Sequence, residues 1–126
     1  MDEAYSDDNG RIARIVNTFL DTLAEAHTDS DTQAAYEEFL THTNTIQRQA
    51  LAYELDRMHM AALSASILTE ASMFVYAAEH DYHNAERHLR YADDAQRNFD
   101  YFNEIAVAGY VRAARIDALR KALWAS

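Results

Sequence analysis

The chain of 126 residues contains no cysteine and no proline, and only two glycines. Without cysteine there is no disulfide framework, no thiolate nucleophile and no cysteine-based zinc site, which leaves histidine and carboxylates as the metal ligands available. Without proline, and with so little glycine, the chain lacks its usual helix breakers. Positive charge is scarce as well: 11 Lys and Arg stand against 21 Asp and Glu, a net charge of -10. A surface of that sign repels phosphate, so direct nucleic-acid binding is excluded and a basic protein partner is favoured. Ten of the eleven cations are Arg, and Lys121 is the one lysine.

The opening residues MDEAYSDDNG are acidic where a targeting segment would be basic and apolar, so the chain is expected to be cytoplasmic. Met58 to Ala78 has the length of a membrane span. Glu70, His59 and the hydroxyls of Ser64, Ser66, Thr69 and Ser72 make it too polar for one, and it is expected to be a buried core helix with no membrane contact. The length suits one domain, residues 1–126, with a modest core and no need of staples.

Ala, Leu, Arg, Glu and Gln abound, and no segment alternates with a period of two, so the fold is predicted to be all-α. A first helix is expected after Ser6, Asp7 and Asp8, ending near His27, with Ile12, Ile15, Val16, Phe19, Leu20 and Leu23 on one face. Thr28 to Thr32 reads as a polar hinge, and a second helix carries Tyr36, Phe39 and Leu40. Thr41 to Thr45 is rich in side chains that compete for helical backbone bonds, which places a break there. From Ile46 to about His80 the pattern is helical, and its second half is apolar on nearly every side, as for a helix surrounded by neighbours.

A turn is predicted at Asp81 to Asn84, followed by a helix to the C-terminus. Ala85, His88, Ala92, Ala95, Phe99, Phe102, Ala106, Gly109, Ala113 and Ile116 form its heptad stripe, small enough for close packing. Gly109 reads as a point of close contact rather than a kink. Arg112, Arg115, Arg120 and Lys121 make the end of this helix basic, which complements its dipole or docks against an acidic neighbour. The expected architecture is therefore an antiparallel bundle of about four helices, the last two long and forming a hairpin. Two long helices that project past two shorter ones leave apolar surface uncovered, so a homodimer is a further expectation.

The segment Tyr76 to Ala95, YAAEHDYHNAERHLRYADDA, resembles the middle of a tetratricopeptide repeat in the placing of Tyr76, Tyr82, Ala85, Leu89 and Ala92. His80 stands where that repeat has glycine, Met73 where it has a small residue, and no second copy follows at the repeat's spacing. The resemblance implies a helical hairpin and a protein-binding role.

Six histidines raise the question of a metal, and Glu79, His80, His83 and His88 gather around the predicted turn. Neither an HExxH motif nor the paired Glu-x-x-His pattern of a di-iron bundle is present, so no metal or other cofactor is expected. Asp56 and His59, three apart, and Glu70 within the apolar stretch are candidates for a buried acid and base. A structural role is the favoured reading for Glu70, which would face a groove, bond the hydroxyl of one of the eight tyrosines or pair with an Arg of the facing helix. No nucleophile elbow or glycine-rich phosphate loop exists, and an Arg–His pair such as Arg87 and His88 recurs by chance. The chain is not expected to be an enzyme.

What remains is a protein-binding module: an acidic inhibitor or antagonist covering a basic surface of its partner, such as a nucleic-acid-binding protein. Immunity proteins, anti-activators and phage-encoded inhibitors fit that description, with carboxylates imitating phosphates. The candidate binding residues are Asp93, Asp94, Asp100 and Glu104 on the last helix, with Tyr91 and Tyr101 as aromatic contacts, and Glu37 and Glu38 on the second helix. The alternative is a self-associating helical scaffold.

Overall fold

The computed structural model describes the backbone of residues 2–126 and the side chains of residues 10–126. Among these residues there are four helices and no strand: α1 (Asp2–Glu25), α2 (Asp29–His42), α3 (Arg48–Ala85) and α4 (Leu89–Ala125). The last two pack as an antiparallel hairpin. α1 begins at Asp2, ahead of the predicted caps, and ends two residues before His27; the side chains of Ser6, Asp7 and Asp8 lie outside the described residues.

Thr28 starts α2 in extended backbone, and its hydroxyl accepts a 3.0 Å bond from the Asp31 N–H. Asp29 and Asp31 in the first turn add the negative charge that a helix N-terminus favours. At the other end the buried Thr43 hydroxyl donates to the Phe39 carbonyl at 2.7 Å, turning the chain where the run of threonines predicts a break. α3 then starts at Arg48 rather than Ile46.

Two compact units are present: residues 1–60 with 112–126, and residues 61–111. The core of the first is built of large side chains. Ile12, Val16, Phe19, Leu20 and Leu23 of α1, Phe39 of α2, Leu51, Leu55 and Met58 of α3, and Ile116, Leu119 and Leu123 of α4 are all buried. Phe19 meets Phe39 edge-on at 5.6 Å. Within this core Glu54 is 1% exposed, and its carboxylate is held by the Arg57 guanidinium one turn on. That partnership satisfies the buried charge and raises the Arg57 pKa further above its ordinary value, chiefly through the hydrogen bond.

Arg48 supplies the cation that the last turn of α4 lacks, since it donates to the Leu123 carbonyl at 2.7 Å. Three of the four basic residues predicted for that role are engaged elsewhere. Arg112 donates to the Asn17 side chain at 2.6 Å, Arg120 to Asp56 at 2.9 Å and to Asp117, and Lys121 lies 2.9 Å from Asp117.

The second unit is the hairpin of α3 and α4 over residues 61–111. Its fully buried side chains are all small: Ser66, Ala92, Ala95 and Ala106. They let the two backbones approach closely, as the heptad stripe predicts, with Phe99 and Phe102 half-buried beside them and Tyr76 stacked on Phe102 at 5.5 Å. Gly109 is the tightest point. α4 is unbroken there, and a Cβ on Gly109 would overlap Ser66 Oγ and lie 3.3 Å from Ser66 Cβ, so the glycine serves close contact rather than a kink.

Two expectations are corrected in this unit. The turn lies at Glu86–His88 instead of Asp81–Asn84, which belong to α3. Arg87 takes a left-handed φ of 61°, its N–H bonds the Asn84 carbonyl at 3.2 Å, and the His88 N–H bonds the His83 carbonyl at 2.8 Å. This pair of bonds is a Schellman ending, a motif that usually has glycine where Arg87 stands. Nor is Met58 to Ala78 a buried core helix. α3 is long and apolar enough to cross a membrane by length and composition, yet it is mostly exposed.

Candidate functional site

The helical repeat turns every third or fourth residue of α3 to the same side. Met73 and Ala77, with Ser66, form the side that meets α4. The opposite side carries Leu68 (70% exposed), Val75 (56%) and Tyr82 (60%), and Ile67 (57%) and Phe74 (60%) are exposed on its flank. Monomeric soluble proteins rarely expose so continuous an apolar surface. Between Ala61 and Ala78 the one charged residue is Glu70, and it does not reach this face: half-buried, it accepts a 2.5 Å bond from the Tyr110 hydroxyl. That bond, then desolvation and the nearby negative charge, holds the Tyr110 pKa above the usual tyrosine range. Of the structural roles open to Glu70, the bond to a tyrosine on the facing helix is the one it takes.

Along the bare side, Ser64, Leu68, Ala71, Val75, Ala78 and Tyr82 follow one another at alternating steps of four and three residues, and all six are exposed. This is the spacing of a coiled-coil seam. Large residues hold one set of its positions, and Ser or Ala the other. The seam was missed from sequence because an all-round apolar helix reads as enclosed. Its signal was a long stretch with one charged residue, Glu70, in an acidic chain.

The predicted binding residues are divided. Asp93, Asp100 and Glu104 are exposed on one outward stripe of α4, spaced seven and four residues apart, with Tyr101 exposed beside them. Asp100 also accepts a 2.9 Å bond from Gln96. Asp94 is half-buried on another side of the helix and is paired with Arg97. Tyr91 is exposed but leans on His83, with ring centroids 5.4 Å apart, near the turn. Glu37 and Glu38 belong to the other unit. Glu37 lines an open groove of about 520 Å³ with Tyr36, Leu40 and Lys121, whereas Glu38 borders a separate shallow hollow with Asp31 and Thr22.

The histidines at the turn do not converge on one point. His83 lies 5.8 Å from His88 between ring centroids, and His80 reaches only Asp81 at 3.4 Å. Among the described residues no three His, Asp or Glu side chains are placed to share a metal ion. Asp56 is bound to Arg120 rather than poised against His59. Ser66, buried opposite Gly109, has no hydrogen-bond partner and so no base to activate it.

No protein-family model, curated protein or solved structure matches this chain.

Proposed function

We propose that this chain is a non-enzymatic protein-binding module whose contact surface is the outward side of α3 in the hairpin. The observation that carries the reading is the exposed apolar face of Ile67, Leu68, Phe74 and Val75, which bears no charge and is continued by Tyr82. A hydrophobic centre with depleted charge and large aromatic or aliphatic anchors is the composition of an interface core. Amphipathic helices dock into one another through such faces at i, i+3, i+4 and i+7 positions.

The test compares binding by the native chain with binding by a Leu68→Glu, Val75→Glu double variant. A stoichiometric complex that survives high salt and is lost in the variant supports the reading. Complexes formed equally by both would remove α3 from the interface.

A second reading is the acidic antagonist of a basic, nucleic-acid-binding protein, favoured by the outward stripe of Asp93, Asp100 and Glu104 with Tyr101 beside it. Distributed carboxylates of this kind steer association and make it salt-sensitive. Changing all three carboxylates to amides should then slow association with that partner and flatten its salt dependence. Unchanged binding would reduce the stripe to a solvated face.

A further inference from the structure

Resting on the reading of α3 as a docking face, we infer that its occupant is a second copy of this chain, paired with the first through an antiparallel, two-fold symmetric seam. The seam is self-complementary. In an antiparallel pair one helix runs in reverse, so the two kinds of core position alternate across each layer instead of meeting their own kind. With the symmetry axis level with Met73, Leu68 faces Ala78 of the second copy, Val75 faces Ala71, and Tyr82 faces Ser64. Every layer then joins one large side chain to one small one. Parallel pairing would stack large on large and small on small in alternate layers, leaving overfilled and empty levels by turns. An isologous contact of this kind closes on itself and does not propagate into a filament.

Charge selects the same surface. Two chains of net charge -10 repel each other, and any contact through the outward carboxylates of α4 sets like charges together. The outward side of α3 between Ala61 and Ala78 presents no charge, and the exposed Glu79 and Asp81 at the end of the seam come level with Ile67 and Ala65 of the second copy, so two copies meet there without setting like charges together. The area points the same way. Leu68, Val75 and Tyr82 in the seam with Ile67 and Phe74 on its flank, at on the order of 100 Å² each, supply more than half of the ~800 Å² that each partner contributes to a standard interface, and the small residues between them add to it.

Sedimentation equilibrium of the full chain, from micromolar to sub-millimolar concentration, should find twice the monomer mass of 14.4 kDa. Leu68→Glu should be monomeric over the same range with an unchanged helical circular-dichroism spectrum, since Leu68 is 70% exposed and takes no part in the core. Crosslinking tests the register against no background, because the chain has no cysteine. A mixture of Ala71→Cys and Val75→Cys chains should oxidise mainly to the mixed disulfide, whereas either chain alone should crosslink poorly. Efficient crosslinking of Ala71→Cys to itself would overturn the antiparallel arrangement.

A native chain monomeric at every concentration would overturn the second copy as occupant. The docking face would still stand if a heterologous complex were lost with Leu68→Glu, and would fall if none were. Flotation of the monomer with neutral phosphatidylcholine vesicles, abolished by Leu68→Glu, would give the face to a lipid surface and likewise overturn the pairing.

Discussion

The crossing of Ser66 and Gly109 allows a perturbation whose sign depends on its neighbour. Gly109→Ala alone sets two effects against each other. Replacing a helical glycine by alanine stabilises by about 1 kcal/mol through backbone entropy. The added Cβ, however, overlaps Ser66 Oγ and sits 3.3 Å from Ser66 Cβ and 3.8 Å from the Ala62 carbonyl, so the helices must part or Ser66 must turn. Overfilling a packed contact costs about 1–3 kcal/mol. The net expectation is a loss of about 1 kcal/mol.

Ser66→Ala removes a buried hydroxyl that has no hydrogen-bond partner, a group whose desolvation costs about 1–3 kcal/mol, so this substitution should stabilise. In that background Gly109→Ala meets a methyl group instead of an oxygen. A shift of a few tenths of an ångström accommodates it, and the entropic gain then dominates. The double-mutant cycle, read by urea denaturation, should give a favourable coupling of about 1–2 kcal/mol between the two alanines. A gain of about 1 kcal/mol from Gly109→Ala in the native background would refute the reasoning, because Ser66 would then swing clear at no cost and no close contact would require the glycine.

Three further outcomes are expected. Arg87→Gly should stabilise by about 1 kcal/mol, measured by thermal melting, because glycine adopts the left-handed φ of 61° without the Cβ penalty; Arg87→Ala, which keeps the Cβ, should not. Asp117 is held below the usual carboxylate range by hydrogen bonds to Lys121 and then Arg120, so on acidification the unfolded chain takes up the proton first. Its contribution is complete above about pH 4 and is lost as pH falls through the lowered value, so Asp117→Asn should flatten the acid limb of the stability curve while lowering stability at neutral pH. Tyr110 should be the late phase in an ultraviolet titration of the eight tyrosines, and Glu70→Gln should move it back toward the rest.

The helices were legible because nothing in the sequence contradicts them. The periodic sets from Ile12 to Leu23 and from Ala92 to Ile116 supply most of the buried side chains of α1 and α4. The turn was misplaced because Asp81 and Asn84 are good capping residues that this chain keeps inside a helix, whereas Arg87 carries no mark of a left-handed position. The enclosed reading of Met58 to Ala78 had a different cause. Periodicity tells which sides of a helix are apolar, and it is silent about whether a neighbour exists to cover them. Length arithmetic speaks to that point: at 1.5 Å per residue, the 38 residues of α3 extend about 57 Å, against about 21 Å for the 14 residues of α2. The acidic candidates were divided for a related reason, since composition counts carboxylates without assigning Glu37 and Asp93 to different compact units.

The contrast between the two cores gives the proposed pairing a consequence for local stability. In the first unit a dozen large side chains are buried, each worth about 1.5–3 kcal/mol relative to exposure. In the hairpin unit the fully buried side chains are Ser66 and three alanines, and an alanine methyl contributes only about 0.8 kcal/mol. Half-buried Leu63, Met73, Tyr76, Phe99 and Phe102 add part of their potential. An isolated helix pair with so small a core is marginal, because packing rather than propensity supplies most helical stability. Covering Leu68, Phe74, Val75 and Tyr82 with a second copy would give the hairpin the large-residue core it lacks. Amide hydrogen exchange should therefore slow with rising protein concentration over residues 61–111, while residues 10–58 keep their protection throughout. In Leu68→Glu the hairpin amides should exchange at the fast, dilute-limit rate at every concentration. Protection of residues 61–111 equal to that of the first unit in the dilute native chain would show that the small-residue core suffices alone and that the hairpin has no energetic need of a partner.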